Sequence, residues 1–349
     1  MTSRLLDSLL DLSVAPGYSK LGYRLRGLSW SSATAGNLAG GSALVTGASS
    51  GLGEAACEGL ARAGAHVHML VRDLERGRAA RERIRSRLGS HSHLELHSCD
   101  LADLGAVRRF ARGFTVGEPR LDVLVHNAGL LPAERQRTED GFEVAFATNV
   151  LGPFVLTSLL VGALRRGHHP RVINVSSGGM YTARLDVDDP QLNEREFDGP
   201  SFYAHTKRAE VVLTEVWAER LADLGISCHA MHPGWADTPG LARSLPRFHR
   251  LMRPLLRDAR EGADTIVWLA TADPEEVDER SGEFWHDRRP RTKHRLPRTR
   301  ESRDERQRFW AECARLAAMT EQQTTGKAGL AATLTHRFGG ARDSVRRSA

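Results

Sequence analysis

The sequence predicts an α/β protein built on a single Rossmann-type, doubly wound parallel sheet with helices on both faces. Three observations predict it. From Ser42 onward, short apolar runs alternate with stretches of helical length and period; a glycine-rich turn joins the first run to the first helix; and no repeat of solenoid period interrupts the alternation. The runs are 43–46, His66–Val71, Leu94–Ser98, Val123–His126, 172–175 and 226–231, and the helical stretches include 54–63, 73–88 and 204–224. Strands alternating with helices imply parallel pairing, because each right-handed crossover needs a helix to cover one face of the sheet.

This domain is expected over 41–290, between two extensions. In residues 1–40, Leu5, Leu6, Leu9, Leu10 and Leu12 line one face of a short helix that is expected to break at Ala15-Pro16-Gly17. That face is expected to pack on the main domain, since a membrane-surface helix would be more basic on its polar side. Residues 291–319 read as a basic segment and a last helix, with Ser302 and Glu305 at capping-box spacing ahead of Phe309, Trp310, Cys313 and Leu316. The tail, 320–349, is rich in Gly, Thr, Arg and Ala and is expected to be disordered.

Composition narrows the function classes. The 349 residues are 40% hydrophobic and 26% charged, ordinary for a globular protein. No transmembrane span or secretory signal is expected; Asp7 and Asp11 interrupt the leading leucines. The four cysteines, Cys57, Cys99, Cys228 and Cys313, are far apart, which fits a reducing, cytoplasmic setting and no zinc or disulfide framework. The net charge of +6 comes from one place. Between His286 and Arg308 stand ten Lys/Arg against four Asp/Glu, an excess equal to that of the whole chain. Without interleaved aromatics this reads as a solvated basic stretch, and no nucleic-acid partner is expected.

The first strand runs into Thr46-Gly47-Ala48-Ser49-Ser50-Gly51-Leu52-Gly53 and then a helix. Glycines there let the backbone turn tightly and approach a pyrophosphate, whose charge meets the free N–H groups of the helix N-terminus. The second strand ends at Arg72-Asp73. An acidic side chain at this place would bind the ribose hydroxyl of NAD, whereas arginine pairs with the 2′-phosphate of NADP; Arg72 comes first, so NADP is favoured over NAD. Asp100, in Cys99-Asp100-Leu101, follows the third strand and suits the adenine amino group. Asn127-Ala128-Gly129 follows the fourth, where small residues leave room for a ribose.

Tyr203 and Lys207, in Tyr-Ala-His-Thr-Lys, lie one helical turn apart on one face. A lysine charge favours phenolate, so the pair can pass a proton to or from an oxygen while hydride passes to or from a nicotinamide. With four Tyr and four Lys in the chain, random placement would give this spacing roughly 0.05 times. Upstream, a strand ends in Ser176-Ser177; Ser177 is chosen as the hydroxyl for the substrate oxygen, with Ser176 as its local alternative. Asn149 would lie on the helix before that strand and support a water leading to Lys207.

With these motifs, residues 42–290 resemble the short-chain dehydrogenase/reductase family at Gly47, Gly51, Gly53, Asn127, Ala128, Gly129, Asn149, Ser177, Tyr203 and Lys207. The resemblance implies a catalytic tetrad of Asn149, Ser177, Tyr203 and Lys207. It also gives His232-Pro233-Gly234-Trp235-Ala236-Asp237-Thr238-Pro239 a place beside the nicotinamide, with Pro233, Gly234 and Thr238 as contacts. The segments 175–180, 197–199 and 231–239 are similar to the retinol-dehydrogenase-like branch, which implies NADP and a lipophilic carbonyl or alcohol as small-molecule substrate. One departure stands out: Tyr203 follows Ser177 by 26 residues, with the acidic insert Asp186-Val-Asp-Asp-Pro190 between them.

Other features carry less. His91, His93 and His97 share a strand face but lack a completing ligand, so no metal is expected; His168-His169-Pro170 reads as a turn. The glycosylation-type triplet at Asn174 falls in an expected core strand. Segment 239–256 alternates apolar residues with Arg and Pro and is expected to form a lid over the substrate. A non-catalytic dinucleotide sensor or scaffold on the same fold has no need of Tyr203, and a nucleotide-sugar epimerase would need a larger region after Arg288. A homo-oligomer is left open.

Overall fold

The computed structural model describes residues 7, 8, 10, 11, 13–30, 38–89 and 92–325, with backbone alone from 319. Its centre is an eight-stranded sheet in the order β3-β2-β1-β4-β5-β6-β7-β8, with β1 (Ser42–Thr46), β2 (His66–Val71), β3 (Leu94–Ser98), β4 (Val123–His126), β5 (Arg171–Val175), β6 (Ser227–Met231), β7 (Phe284–His286) and β8 (Arg289–Arg291). The first seven pair in parallel; β8 returns antiparallel on β7.

Alternation along the strands feeds two cores. Leu44, Leu70, Leu124 and Val172 enter one, while Ala43, Val45, Val67, Met69, Val123, Val125 and Ile173 enter the other. The second core is covered by α1 (Gly51–Arg62), α2 (Leu74–Leu88) and α6 (Ala259–Thr271). The first is covered by α3 (Leu104–Gly117), α4 (Gly152–Leu164), α5 (Gly199–Leu221) and α7 (Arg303–Thr325). Strand order reverses between β1 and β4, and the crevice at their carboxyl ends is where such sheets bind ligands.

Several expectations change. β7 and β8 were not foreseen: each has three residues, and β8 carries Pro290, which the ladder tolerates only at an edge. Their two-residue turn puts Asp287 and Arg288 at φ 53° and 58° without the Gly or Asn that would announce it. The domain boundary expected at 290 therefore falls inside a hairpin. The uncharged stretch Val144–Leu164 is long and apolar enough to cross a membrane, contrary to the expectation of no such segment, but 78% of its most apolar window is buried inside the fold.

The first part of the basic segment, 288–295, is not a solvated stretch, whereas Arg298, Arg300 and Arg303 are exposed as expected. Arg291 and Arg289 pair with Asp7, Arg295 with Asp11, Lys293 with Glu215 and Arg288 with Asp264. The partners lie up to 284 residues away, so local composition could not show them. The N-terminal segment packs on the domain as expected, with Leu10 and Tyr18 buried, while Leu5, Leu6, Leu9 and Leu12 lie outside the described residues. Ala15-Pro16-Gly17 does not break a helix; it lies within a short one, Val14–Tyr18, whose first turn tolerates proline. Helix α7 has the capping box expected of Ser302 and Glu305 and docks Trp310 on Phe154 and Trp217 at ring-centroid distances of 4.9 and 4.3 Å. It continues to Thr325, past the expected start of the tail; residues 326–349 lie outside the described residues.

Candidate active site

The turn after β1 is a cradle closed by backbone. Gly47 and Gly51 take φ of 68° and 58°, the left-handed region that disfavours side chains. A Cβ on Gly53 would stand 2.3 Å from the Gly47 carbonyl oxygen and 2.5 Å from Asn127 Nδ2. The loop after β4 locks onto it. Thr46 Oγ1 accepts from the N–H groups of Asn127 and Ala128 at 3.0 Å each, and Asn127 Nδ2 donates to the Thr46 carbonyl at 3.0 Å. Asn127 is thus a tie between two loops as well as a wall residue. A cradle of this shape, opening at a helix N-terminus, fits a dinucleotide pyrophosphate.

A cleft of about 380 Å³ opens from the cradle. Thr46, Gly47, Ser49, Ser50, Gly51, Leu52, Arg72, Asp100, Leu101, Asn127, Ala128, Gly129 and Thr238 all line it. Gly53 sits beneath the loop. Two arginines that the sequence reading missed also line it: Arg76, one turn beyond Arg72, and Arg243, in the 239–256 segment. Asp73 Oδ1 accepts from the Arg76 N–H at 3.1 Å and caps α2, so that carboxylate is partly spent on its own helix. Asp100 likewise accepts from the Ala102 N–H at 2.9 Å.

Pro233 and Gly234, like Asn149, Ser177, Tyr203 and Lys207, are not among the residues that line this cleft. The Pro233 carbonyl accepts from Arg257, and a Cβ on Gly234 would stand 2.5 Å from the Arg257 guanidinium and 2.7 Å from the Tyr18 carbonyl. Gly234, at φ 74°, admits Arg257 and the N-terminal segment. The 239–256 segment forms helices Pro239–Ser244 and Pro246–Met252. Ser244 bonds the Leu131 carbonyl at 3.1 Å, so the segment spans from the cradle to the loop after β4.

Tyr203 and Lys207 lie on α5, whose N-cap is Asp198, accepting from the Ser201 N–H at 3.1 Å. Lys207 is buried. Its ammonium donates to the Val175 carbonyl at 3.0 Å and to Glu210 Oε1 at 2.6 Å, and it lies 5.5 Å from the Tyr203 ring centroid. A Cβ on Gly129 would come within 3.2 Å of Lys207 Nζ, which gives this glycine a second, steric reason. The two serines separate cleanly: Ser176 donates to the Lys207 carbonyl at 2.7 Å, whereas Ser177 is half-buried, accepts from the Gly179 N–H at 3.2 Å and lies near enough to Tyr203 to favour its phenolate. Asn149 lies in a π-helical turn, Ala147–Leu151, rather than a regular helix. Its amide donates to Thr206 Oγ1 at 2.9 Å and to the Leu130 carbonyl at 3.1 Å, and its Oδ1 accepts from the Leu130 N–H at 2.8 Å. Between Ser177 and Tyr203, the insert is ordered: Asp186 donates its N–H to His205 Nε2 at 3.0 Å and accepts from Arg195 at 2.7 Å.

Electrostatics depart from the simple lysine argument. Burial raises the Tyr203 phenol above its ordinary value; the Lys207 charge lowers it, but Glu210 raises it again, and the net direction is upward. Burial works against the Lys207 ammonium, yet Glu210 and Tyr203 outweigh it and move this group upward too. Burial pushes the Glu210 carboxyl up to about 7 despite the ammonium beside it. Glu210 was missed by sequence reasoning, although its spacing of three from Lys207 was visible.

Residues 42–188 match the short chain dehydrogenase family. The chain is 44% identical over 259 residues to dehydrogenase/reductase SDR family member 12 of Bos taurus, spanning 74% of this chain and 80% of the relative. The chain belongs to the short-chain dehydrogenase/reductase family. It is 33% identical over 290 residues to human retinol dehydrogenase 13, spanning 80% and 85% of the two chains. A crystal structure of an uncharacterised protein from Mycobacterium paratuberculosis superposes with a TM-score of 0.65 at 29% identity, covering 82% of this chain and 97% of that one. The protein is thus an NAD(P)-dependent oxidoreductase acting on CH–OH groups, in the retinol-dehydrogenase-like branch of the family.

Proposed function

We propose that the protein interconverts a lipophilic aldehyde or ketone and its alcohol with NADP(H). Tyr203 serves as acid/base, Ser177 holds the substrate oxygen, and Lys207 and Asn149 order the group behind them. The observation that carries this is the grouping of Ser177, Tyr203 and the Lys207 ammonium next to Gly129, which lines the cleft that opens from the glycine cradle. When bound, the cofactor would supply hydride as NADPH and accept it as NADP+. In reduction, Tyr203 donates its proton to the carbonyl oxygen, which Ser177 fixes by a hydrogen bond. In oxidation, the phenolate takes the alcohol proton. Lys207, held by Val175 and Glu210, stabilises the phenolate. Asn149 braces the turn before it through Thr206.

NADP over NAD is supported by charge. Arg72 and Arg76 are exposed at the cleft without an ion-pair partner among the described residues, and Asp73 is occupied with capping α2. A lipophilic substrate is supported by the names of the retinol dehydrogenase relatives and by Leu251, 78% exposed on the segment that crosses above the cradle.

The test is cofactor oxidation against a panel of lipophilic aldehydes and ketones, with NADPH and NADH compared. Turnover with NADPH at least ten-fold more efficient than with NADH is expected. Equal efficiency would overturn the NADP assignment. Tight NADPH binding with no turnover across the panel would favour a sensor on the same fold.

A further inference from the structure

Strands β2 and β3 bring together a set of side chains that the proposed oxidoreductase chemistry does not use. His66 and His68 alternate along β2 and so project from one face of the sheet. The parallel register sets His68 beside Glu95 and Leu70 beside His97, which puts Glu95 and His97 on the same face of β3. Potential ligand atoms of His66, His68 and Glu95 all lie within 4.8 Å of one another.

We propose that His66, His68, Glu95 and His97 form a site for one divalent transition-metal ion of the zinc class. In a tetrahedral zinc site with bonds of about 2.0–2.1 Å, neighbouring ligand atoms stand about 3.4 Å apart. Here His66 Nε2 and Glu95 Oε2 are 3.5 Å apart, His68 Nδ1 and Glu95 Oε2 3.7 Å, His97 Nε2 and Glu95 Oε1 3.5 Å, and His68 Nδ1 and His97 Nε2 3.0 Å. His97 stands next to the set formed by His66, His68 and Glu95, in reach of two of its members.

The surroundings match what such an ion requires. Metal-bound histidines commonly turn their other ring nitrogen to a carboxylate. Glu118, at the end of α3, faces two rings without hydrogen-bonding either, with Oε2 at 3.4 Å from His68 Nε2 and 3.9 Å from His66 Nδ1. His68 is 1% exposed, and its Nε2 makes no hydrogen bond in the structure. Phe114 and Phe110, also on α3, close one side against the rings of His68 and His97 at 4.9 and 5.4 Å.

This reverses the expectation of no metal set. The sequence reading followed β3 alone through His91, His93 and His97, whereas two ligands stand on the neighbouring strand. Glu95, between His93 and His97, supplies the carboxylate judged missing. His91 lies outside the described residues. The rival account is a hydrogen bond between His68 and His97 flanked by solvated His–Glu pairs, with no affinity for an ion.

The test is calorimetric titration of zinc chloride into full-length, tag-free protein stripped with chelator. One equivalent is expected to bind at micromolar concentration or tighter. His66→Ala and Glu95→Gln are expected to weaken binding at least about ten-fold. Both positions are well exposed, at 39% and 52% of their side chains, and circular dichroism checks that the variants are folded. His168→Ala, in the remote His-His turn, is expected to leave affinity unchanged. No saturable binding by the wild type, wild-type affinity in His66→Ala and Glu95→Gln, or loss of binding in His168→Ala would overturn the proposal. Each readout is binding alone and does not depend on Tyr203 being catalytic.

Discussion

Lys207–Glu210, behind Tyr203, and Arg257–Asp287, at the seam joining the N-terminal segment to the β7–β8 hairpin, are both buried ion pairs of opposite construction. Asp287 is saturated: its two oxygens accept from Arg257 at 2.6 and 2.9 Å, and Arg26 donates to one of them at 2.6 Å. Burial would raise its carboxyl, but the two guanidinium groups hold it below the usual carboxylate range. Glu210 has one ammonium on Oε1, while Oε2 is buried without a hydrogen bond, and burial prevails. The same elements therefore make a permanent rivet in one place and a group that titrates near neutrality in the other. Full pairing suits a fastening; incomplete pairing leaves a charge that can change beside an acid/base residue.

Breaking the rivet is expected to have the largest effect on stability. Asp287→Ala leaves buried Arg257 without a carboxylate and takes from Arg26 one of its two, Asp7 remaining, and should cost about 3–5 kcal/mol in urea unfolding. Wild-type stability would show that the seam is incidental.

Glu210→Gln tests the other half of the comparison. The folded carboxyl titrates near 7 against an ordinary 4.5, so between these values the native state holds more protons than the unfolded chain. Its contribution to stability is present below pH 4.5 and is lost as pH rises towards 7, by up to roughly 3 kcal/mol; the Gln variant should lack that slope. Because the Glu210 charge raises the Tyr203 phenol, its removal should also move the acid limb of alcohol oxidation, where the rate rises as the phenol ionises, to lower pH. An unchanged pH–rate profile in the Gln variant would mean that Glu210 is only packing.

Arg72→Ala extends the contrast to an exposed charge awaiting a partner. Loss of a charge-assisted phosphate contact worth about 1.5–3 kcal/mol should raise KM for NADPH roughly ten-fold or more while leaving NADH little changed. The smallest effect is expected from Leu251→Gln, a few-fold loss in kcat/KM confined to the most lipophilic substrates. Uniform loss across short and long substrates would remove this residue from the substrate side.

The same division describes how far the sequence was readable. Strands β1, β4, β5 and β6 are covered on both faces, so runs such as 43–45, 123–125 and 172–173 are apolar, while β3, at the sheet edge, showed itself by its place in the alternation. The cradle and the Tyr203–Lys207 spacing were readable because their chemistry fixes residue type and separation locally. The seam was not: Asp7 looked like an interruption in a leucine helix, and Arg291 like one charge in a run, until the fold placed them 2.6 Å apart. β7 and β8 were hidden by their brevity and by a turn lacking glycine. Arg76 and Arg243 lacked a motif, and only the geometry of the cleft gathers them with Arg72.

The central claim is that Tyr203 transfers the proton that accompanies hydride transfer. It is tested most directly by single-turnover reduction with saturating NADPH, comparing wild type with Tyr203→Phe, alongside NADPH affinity by fluorescence. The account predicts that the Phe variant binds NADPH within about two-fold of wild type and reduces substrate about 10²–10⁴ times more slowly. Equal single-turnover rates in the two proteins would contradict it.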